Sequence, residues 1–192
     1  DEASITPQLL KNHNLFFCIP DAKTDLYGPL LGIITAQAFD YCAARQNGEI
    51  PHILFILDEF VSLRLSANII LDASRKYRKK NIRLCLLTQS LLDLDVLYNE
   101  KIRNAILSNM KYKVILGITD PSSQKYFADI IGQKDQRTQS SSVNGNTTTI
   151  SYSIRKEYRV PPEAFGQLKD DLFLICDDGS YGKYKKNYYF KY

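Results

Sequence analysis

Asp58 and Glu59 stand side by side at the end of five consecutive apolar residues, Ile53-Leu54-Phe55-Ile56-Leu57. Adjacent carboxylates in such a place can hold a hydrated divalent cation and polarise a water molecule. In an open α/β sheet, ligands bind beyond the carboxyl ends of the strands, where the pair falls if 53–57 is a strand. Burying a carboxylate there costs several kcal/mol unless a cation or donor compensates. The pattern fits a Mg²⁺-nucleotide site of the Walker B kind, with Asp58 on the ion through water and Glu59 on the attacking water. A buried strand followed by a helix-capping Asp would leave the same trace. A second apolar run, 82–88, ends in Gln89. A neutral amide there can hydrogen-bond both a γ-phosphate and the attacking water, coupling cleavage to movement; a helix-capping Gln is the plainer alternative. An arginine supplied in trans stabilises the charge of a phosphoryl-transfer transition state. Arg75 and Arg78 are both of the right type, and either also reads as an exposed surface charge.

One part of a nucleotide site does not occur in these residues, the phosphate-cradling GxxxxGK[ST] loop. Gly179-Ser180-Tyr181-Gly182-Lys183 imitates it, but the spacing is wrong, Tyr184 replaces the hydroxyl and no helix follows. The 192 residues therefore hold the back half of a motor site, and the chain alone is expected not to turn over ATP.

The elements that position these groups follow from periodicity. An unbroken apolar run predicts that 53–57 is a strand buried on both faces. Before it, Leu15-Phe16-Phe17-Cys18-Ile19-Pro20 reads as a short strand and 29–46 as a helix with Pro29 in its first turn. After it come a helix at about 65–79, a strand at 82–88, two short helices at 91–97 and 100–109, a strand at 112–117 and a helix opened by Asp120-Pro121 and closed by Gly132. Alternation of strand and helix through residue 131 predicts a largely parallel sheet. The pattern then changes. Residues 134–159 are rich in Ser, Thr, Gln and Asn, with Asn144-Gly145 between two β-prone runs, which predicts a surface hairpin. A short helix at 161–168, a strand at 172–176 and a last strand ending in Tyr188-Tyr189-Phe190-Lys191-Tyr192 complete an α/β fold with antiparallel closing strands.

Composition sets the frame. A length of 192 residues with 44% hydrophobic content suits one domain, or one domain with an appendage. A net charge of +4 permits contact with nucleic acid without arguing for it. No apolar run of membrane-spanning length and no signal peptide occur, so this piece is expected neither to cross a membrane nor to be exported. The chain opens Asp1-Glu2-Ala3 and has one Met, at 110, which suggests a piece of a longer protein. Cys18, Cys42, Cys85 and Cys176 lie in apolar runs without CxxC spacing and are expected to be buried, reduced thiols. His13 and His52 have no partners for a metal site in the pattern. Six of the nine residues from Arg75 to Arg83 are basic: Arg75, Lys76, Arg78, Lys79, Lys80 and Arg83. A helix C-terminus explains part of that charge, and the remainder suits either a solvated face or phosphate contact.

Several segments, in order, carry a resemblance. Leu57-Asp58-Glu59-Phe60 is similar to an L-D-E-F Walker B motif. Ser74 to Ile82 is similar to a basic G-R-S-R-G-I-like turn, Leu87-Thr88-Gln89-Ser90-Leu91 to L-Q-S-L, and Asn109 to Leu116 to an N-x-x-x-K-[IV]-x-L strand. Thr119-Asp120-Pro121 through Ile131-Gly132 matches a D-P helix ending in Gly. Val160-Pro161-Pro162-Glu163-Ala164-Phe165 and Lys186-Asn187-Tyr188-Tyr189 match L-x-P-x-E-[IL] and K-x-x-Y-Y elements. Over about residues 12–192 the chain resembles the C-terminal part of the motor domain of type IV secretion coupling proteins, the TraG/TraD group of conjugation ATPases.

The resemblance implies a RecA-like, mostly parallel sheet flanked by helices, and a homo-hexameric ring that uses ATP and Mg²⁺. It implies pumping of single-stranded DNA with its relaxase toward the secretion-channel proteins, and attachment of a cytoplasmic motor to the bacterial inner membrane through a separate segment. It assigns Asp58 and Glu59 to Walker B, Gln89 to sensing the γ-phosphate, and the trans-acting role to Arg78, eleven residues before Gln89. Tyr77 departs from the family's usual Gly, and neither the Walker A half nor the all-α domain is present in these residues. Two other readings compete: a non-catalytic module docking relaxosome or channel proteins, and a ring DNA translocase of the chromosome-partitioning type.

Overall fold

The computed structural model describes residues 5–144 and 147–191 and divides into two compact units, Asp1–Met110 and Lys111–Tyr192. The first unit runs α1 (Thr24–Ala43), β1 (Ile53–Leu57), α2 (Ala67–Lys76), β2 (Ile82–Leu86) and α3 (Leu91–Asn109). β1 and β2 pair in parallel, from Ile53 opposite Ile82 to Leu57 opposite Leu86. Parallel neighbours need a crossover, and α2 supplies it. Ser66 caps α2. The crossover ends in a 3-10 turn, Tyr77–Lys80, and in Asn81, which takes the left-handed conformation that reverses the chain into β2. Phe39 of α1 meets Phe55 edge-on at 4.8 Å and Tyr77 at 5.7 Å, which ties α1 to β1 and to the end of the crossover. Buried Arg45 donates from Nη2 to the carbonyls of Glu49 and Pro51, both at 2.7 Å, and so fixes the entry to β1.

The second unit contains β3 (Tyr112–Ile115), α4 (Pro121–Ile131), β4 (Gln133–Asn144), β5 (Thr147–Tyr158), β6 (Asp171–Cys176) and β7 (Tyr181–Lys185). β3, β6 and β7 form an antiparallel sheet in that order. α4 opens as its residues predict: Asp120 accepts from the Ser123 amide at 2.8 Å, Pro121 follows, and Gly132 with φ 87° ends the helix. Phe127, Phe165 and Phe173 form a ring cluster at the core of this unit. β4 and β5 pair over twelve positions as the expected hairpin. Its proposed turn falls partly on residues 145 and 146, outside the described residues.

Four expectations about elements are corrected. The segment 15–19 is not a strand. Phe16 is 85% exposed, and an apolar run becomes a strand only where a neighbouring ladder takes up its backbone groups. β1 is buried on one face only: Ile53 and Leu57 are enclosed, whereas Leu54 and Ile56, on the face away from Phe39, are 59% and 63% exposed. Parallel pairing is confined to β1 and β2 among the described residues, because β3 pairs with β6 and not with β2. Tyr188 and Tyr189 lie outside the last strand, which stops at Lys185, and Tyr192 is outside the described residues. Smaller shifts also occur. α1 starts at Thr24 because the 3-10 turn Asp21–Lys23 leads into it, so Pro29 sits in its second turn. The two helices expected at 91–97 and 100–109 are both present, as the two halves of α3 on either side of a break at Asn99, where φ is 67°.

Candidate active site

The register of β1 and β2 brings residues 58–60 beside residues 87–90. The Leu87 amide donates to the Leu57 carbonyl at 3.0 Å, and the Phe60 amide donates to the Leu87 carbonyl at 3.2 Å. At this carboxyl edge Gln89 Nε2 donates to Glu59 Oε2 at 2.9 Å. Asp58 Oδ1 accepts from the Glu59 amide at 3.0 Å. Asp58 and Glu59, and Gln89 thirty residues beyond Glu59 in sequence, therefore share one edge of the sheet.

The plainer readings of these residues do not describe the geometry. Asp58 accepts from its neighbour's amide and caps no helix, and the N-cap of α3 is Ser90, whose Oγ accepts from the Leu92 amide at 3.1 Å. Nor is there a desolvation cost to offset: Asp58 and Gln89 are exposed and Glu59 is half-buried. The donor set suits Mg²⁺, which keeps several waters and takes one or two carboxylates plus phosphate oxygens. Asp58 offers such an oxygen donor, and among the described residues no group of three or more His, Cys, Asp or Glu side chains encloses a metal.

Arg78 is not part of this cluster within one copy. It lies in the turn before the amino end of β2, so the length of a five-residue strand, about 16 Å, separates it from Gln89. Arg75, in the last turn of α2, precedes the same end. The basic segment is also divided in its work. Lys76 pairs with Asp72 at 2.8 Å, Lys80 Nζ donates to the Ala43 carbonyl, and Arg83 Nη1 donates to the carbonyls of Arg78 and Ile82, both at 3.1 Å. Arg75, Arg78 and Lys79 remain exposed.

Glu59 is itself in the left-handed region, with φ 46° and ψ 46°, a conformation that costs a non-glycine residue about 1–2 kcal/mol. The turn that follows, Phe60–Leu63, holds it there. Phe60 is fully buried and stacks on Tyr98 at 6.4 Å, the Ser62 amide donates to the Glu59 carbonyl at 2.9 Å, and Tyr98 Oη donates to the Leu65 carbonyl at 2.9 Å. Phe60 and Tyr98 thus set the aim of Glu59. The aromatic after the acidic pair was a visible signal for Phe60; no spacing links Tyr98 to Leu65.

Burial pushes the Tyr98 phenol up to about 12, and burial does the same to Tyr77. A raised folded-state pKa contributes stability that is present below the unfolded value of 10 and lost as pH rises through about 12. The fold is therefore expected to weaken between pH 10 and 12. Tyr98→Phe should remove its own share of that dependence, leaving those of Tyr77 and Cys42, and cost on the order of 1 kcal/mol at neutral pH through the lost hydrogen bond. Denaturant melts at stepped pH check this; an unchanged alkaline profile in Tyr98→Phe would contradict it.

The cysteines depart from expectation. Cys42 is buried, with its thiol pushed up to about 11 by burial, but Cys176 is half-buried and Cys18 and Cys85 are exposed. Cys18 lies in the unpaired lead-in, and Cys85 points to the uncovered face of the sheet. Gly179 to Lys183 forms a turn and the start of β7, so a strand, not a helix, continues from it.

Residues 52–170 match the family described as the TraM recognition site of TraD and TraG. No curated protein sequence matches at a significant level. Among solved structures, the unbound bacterial conjugative coupling protein TrwBdeltaN70 superposes with a TM-score of 0.77 at 19% identity, over 94% of this chain and 43% of that one. The plasmid coupling protein TrwB in complex with the non-hydrolysable ATP analogue ADPNP gives 0.78 at 18%, over 97% and 44%. Its complex with ADP and Mg²⁺ gives 0.78 at 18%, over 97% and 43%. The likeness establishes an α/β fold shared with part of TrwB, and the chain spans less than half the length of these proteins.

Proposed function

Because this chain belongs to the family described as the TraM recognition site of TraD and TraG, a C-terminal region of conjugative coupling proteins, we propose that it is the rear part of an ATP-driven coupling-protein motor. The observation that carries the reading is the Gln89–Glu59 hydrogen bond at the carboxyl edge of two parallel strands, with Asp58 beside it. Glu59 takes the proton of the water that attacks the γ-phosphate, as a general base within hydrogen-bond reach. Gln89 orients that water and, by exchanging Glu59 for a phosphate oxygen, reports whether triphosphate is bound. Asp58 would hold Mg²⁺ through water; the ion, when bound, neutralises charge on the β- and γ-phosphate oxygens. The phosphate cradle comes from sequence of the parent protein outside these residues, and Arg78 is supplied by a neighbouring copy.

In the parent protein the motor would form a homo-hexameric ring in the cytoplasm, tied to the inner membrane, and move single-stranded DNA with its relaxase toward secretion-channel proteins. Among the described residues no helix is long and apolar enough to cross a membrane. The family description also favours a second role, docking of a relaxosome protein of the TraM kind on this region. The test of the motor reading is Mg²⁺-dependent ATP hydrolysis: the full-length parent is expected to turn over ATP, and the 192-residue chain alone is not. A Glu59-dependent rate from the chain alone, or none from the parent, would overturn it.

A further inference from the structure

Gly28 and Gly32 sit one turn apart on α1, both buried, and both lie against the backbone of the turn that begins immediately after Glu59. A Cβ on Gly28 would fall within 3.0 Å of the Ser62 carbonyl oxygen, and one on Gly32 within 3.0 Å of the Leu63 carbonyl oxygen, closer than real Cβ atoms come. The atoms in the way are backbone, not the movable end of a side chain, so any larger residue displaces the turn itself. Glycine disfavours a helix interior relative to alanine, which gives two of them at this spacing a packing reason.

We infer that Gly28 and Gly32 are positioning residues for the Glu59 carboxylate. The link is short and entirely backbone. The two glycines seat the Ser62 and Leu63 carbonyls on α1, the Ser62 amide holds the Glu59 carbonyl at 2.9 Å, and Glu59 keeps the left-handed geometry from which its side chain meets Gln89. Arg64, with φ 50°, closes the turn at its other end, so the segment between two left-handed residues has little room to absorb a shift except at Glu59. α1 thus serves as the surface against which the acidic edge is set. The inference rests on the reading of Glu59 as the general base.

Its test is a mutant cycle in the full-length protein. Gly32→Ala is expected to lower kcat for ATP hydrolysis by about 100-fold, the scale of a misplacement near 1 Å, with KM for ATP within about twofold. Gly28→Ala should act in the same direction. Gly117→Ala, at a glycine with nothing within 4 Å of an added Cβ, should leave kcat unchanged. Added to Glu59→Gln, Gly32→Ala should cause no further loss, because both remove the same contribution. Multiplied losses, or a raised KM with unchanged kcat, would overturn the positioning role alone. Glu59→Gln turning over at the wild-type rate would sink the reading of Glu59 and this inference with it. Amide exchange in the unsubstituted full-length protein needs no variant to fold. The Ser62 amide is expected to be protected to the level of β1, and exchange at the rate of an open loop would overturn the clamp.

Discussion

Arg78→Ala in the full-length protein is expected to lower ATP turnover by about 10³-fold or more, while ATP still binds. A guanidinium that meets the γ-phosphate only as charge develops contributes to the transition state and little to ground-state affinity, so the loss should fall on kcat. The geometry makes the prediction specific. Arg78 is exposed and lies at the opposite edge of the β1–β2 sheet from Glu59 and Gln89. It therefore cannot serve the site of its own copy, and any large effect has to run through a second copy. Arg75→Ala is the comparison: exposed and near the same end, it should cost far less. Steady-state ATPase rates of the two variants decide the matter, and a large loss in Arg75→Ala with little in Arg78→Ala would transfer the role.

Glu59→Gln is expected to reduce turnover by about 10²–10⁴-fold, the usual worth of a positioned general base, and to keep nucleotide affinity. The substitution is chosen for its geometry. A glutamine at 59 still presents an oxygen that can accept from Gln89 Nε2, so the contact at 2.9 Å survives while the proton acceptor is lost. A fluorescent ATP analogue titrated against the variant separates the two effects. Loss of binding with a normal rate per bound nucleotide would mean that Glu59 acts structurally.

How far the sequence could be read depended on which contacts were local. The central strand, with its two carboxylates at the end, was legible because an unbroken run of five apolar residues is a local signal. Gln89 followed because parallel strands of equal length, joined through α2, bring their carboxyl ends together. The N-cap of α4 and the break before residue 100 were legible for the same reason: Asp120 with the Ser123 amide, and Asn99 with the Ile102 amide, are contacts three residues apart. What failed was long-range. Nothing in Tyr112–Ile115 announces that its neighbour is β6, some sixty residues on and antiparallel. An alternation of strands and helices predicts a parallel sheet unless a later hairpin-rich segment takes up the strand. Leu54 and Ile56 read as core because their types are apolar, yet whether a second layer covers them depends on elements that periodicity does not reveal. The role of Gly28 and Gly32 was not legible in the sequence, because it lies in the carbonyls of Ser62 and Leu63, some thirty residues away.

The glycine pair and the Tyr98 hydroxyl make a common point about the site. The acidic edge is held by contacts behind it: α1 under the turn, Phe60 in the core, and Tyr98 on the Leu65 carbonyl. On the proposed motor reading, where phosphoryl transfer depends chiefly on positioning and charge, substitutions in these supports are expected to lower turnover as those of the acidic side chains do.

The most direct measurement is ATP hydrolysis by mixed full-length subunits, one batch carrying Arg78→Ala and the other Glu59→Gln. If each site joins Glu59 and Gln89 of one copy to Arg78 of the next, random mixing restores both groups at about a quarter of the interfaces of a closed ring. The mixture should then hydrolyse ATP well above either variant alone. A mixture as inactive as its components, under conditions where the subunits exchange, would contradict a composite site at the carboxyl edge of β1 and β2.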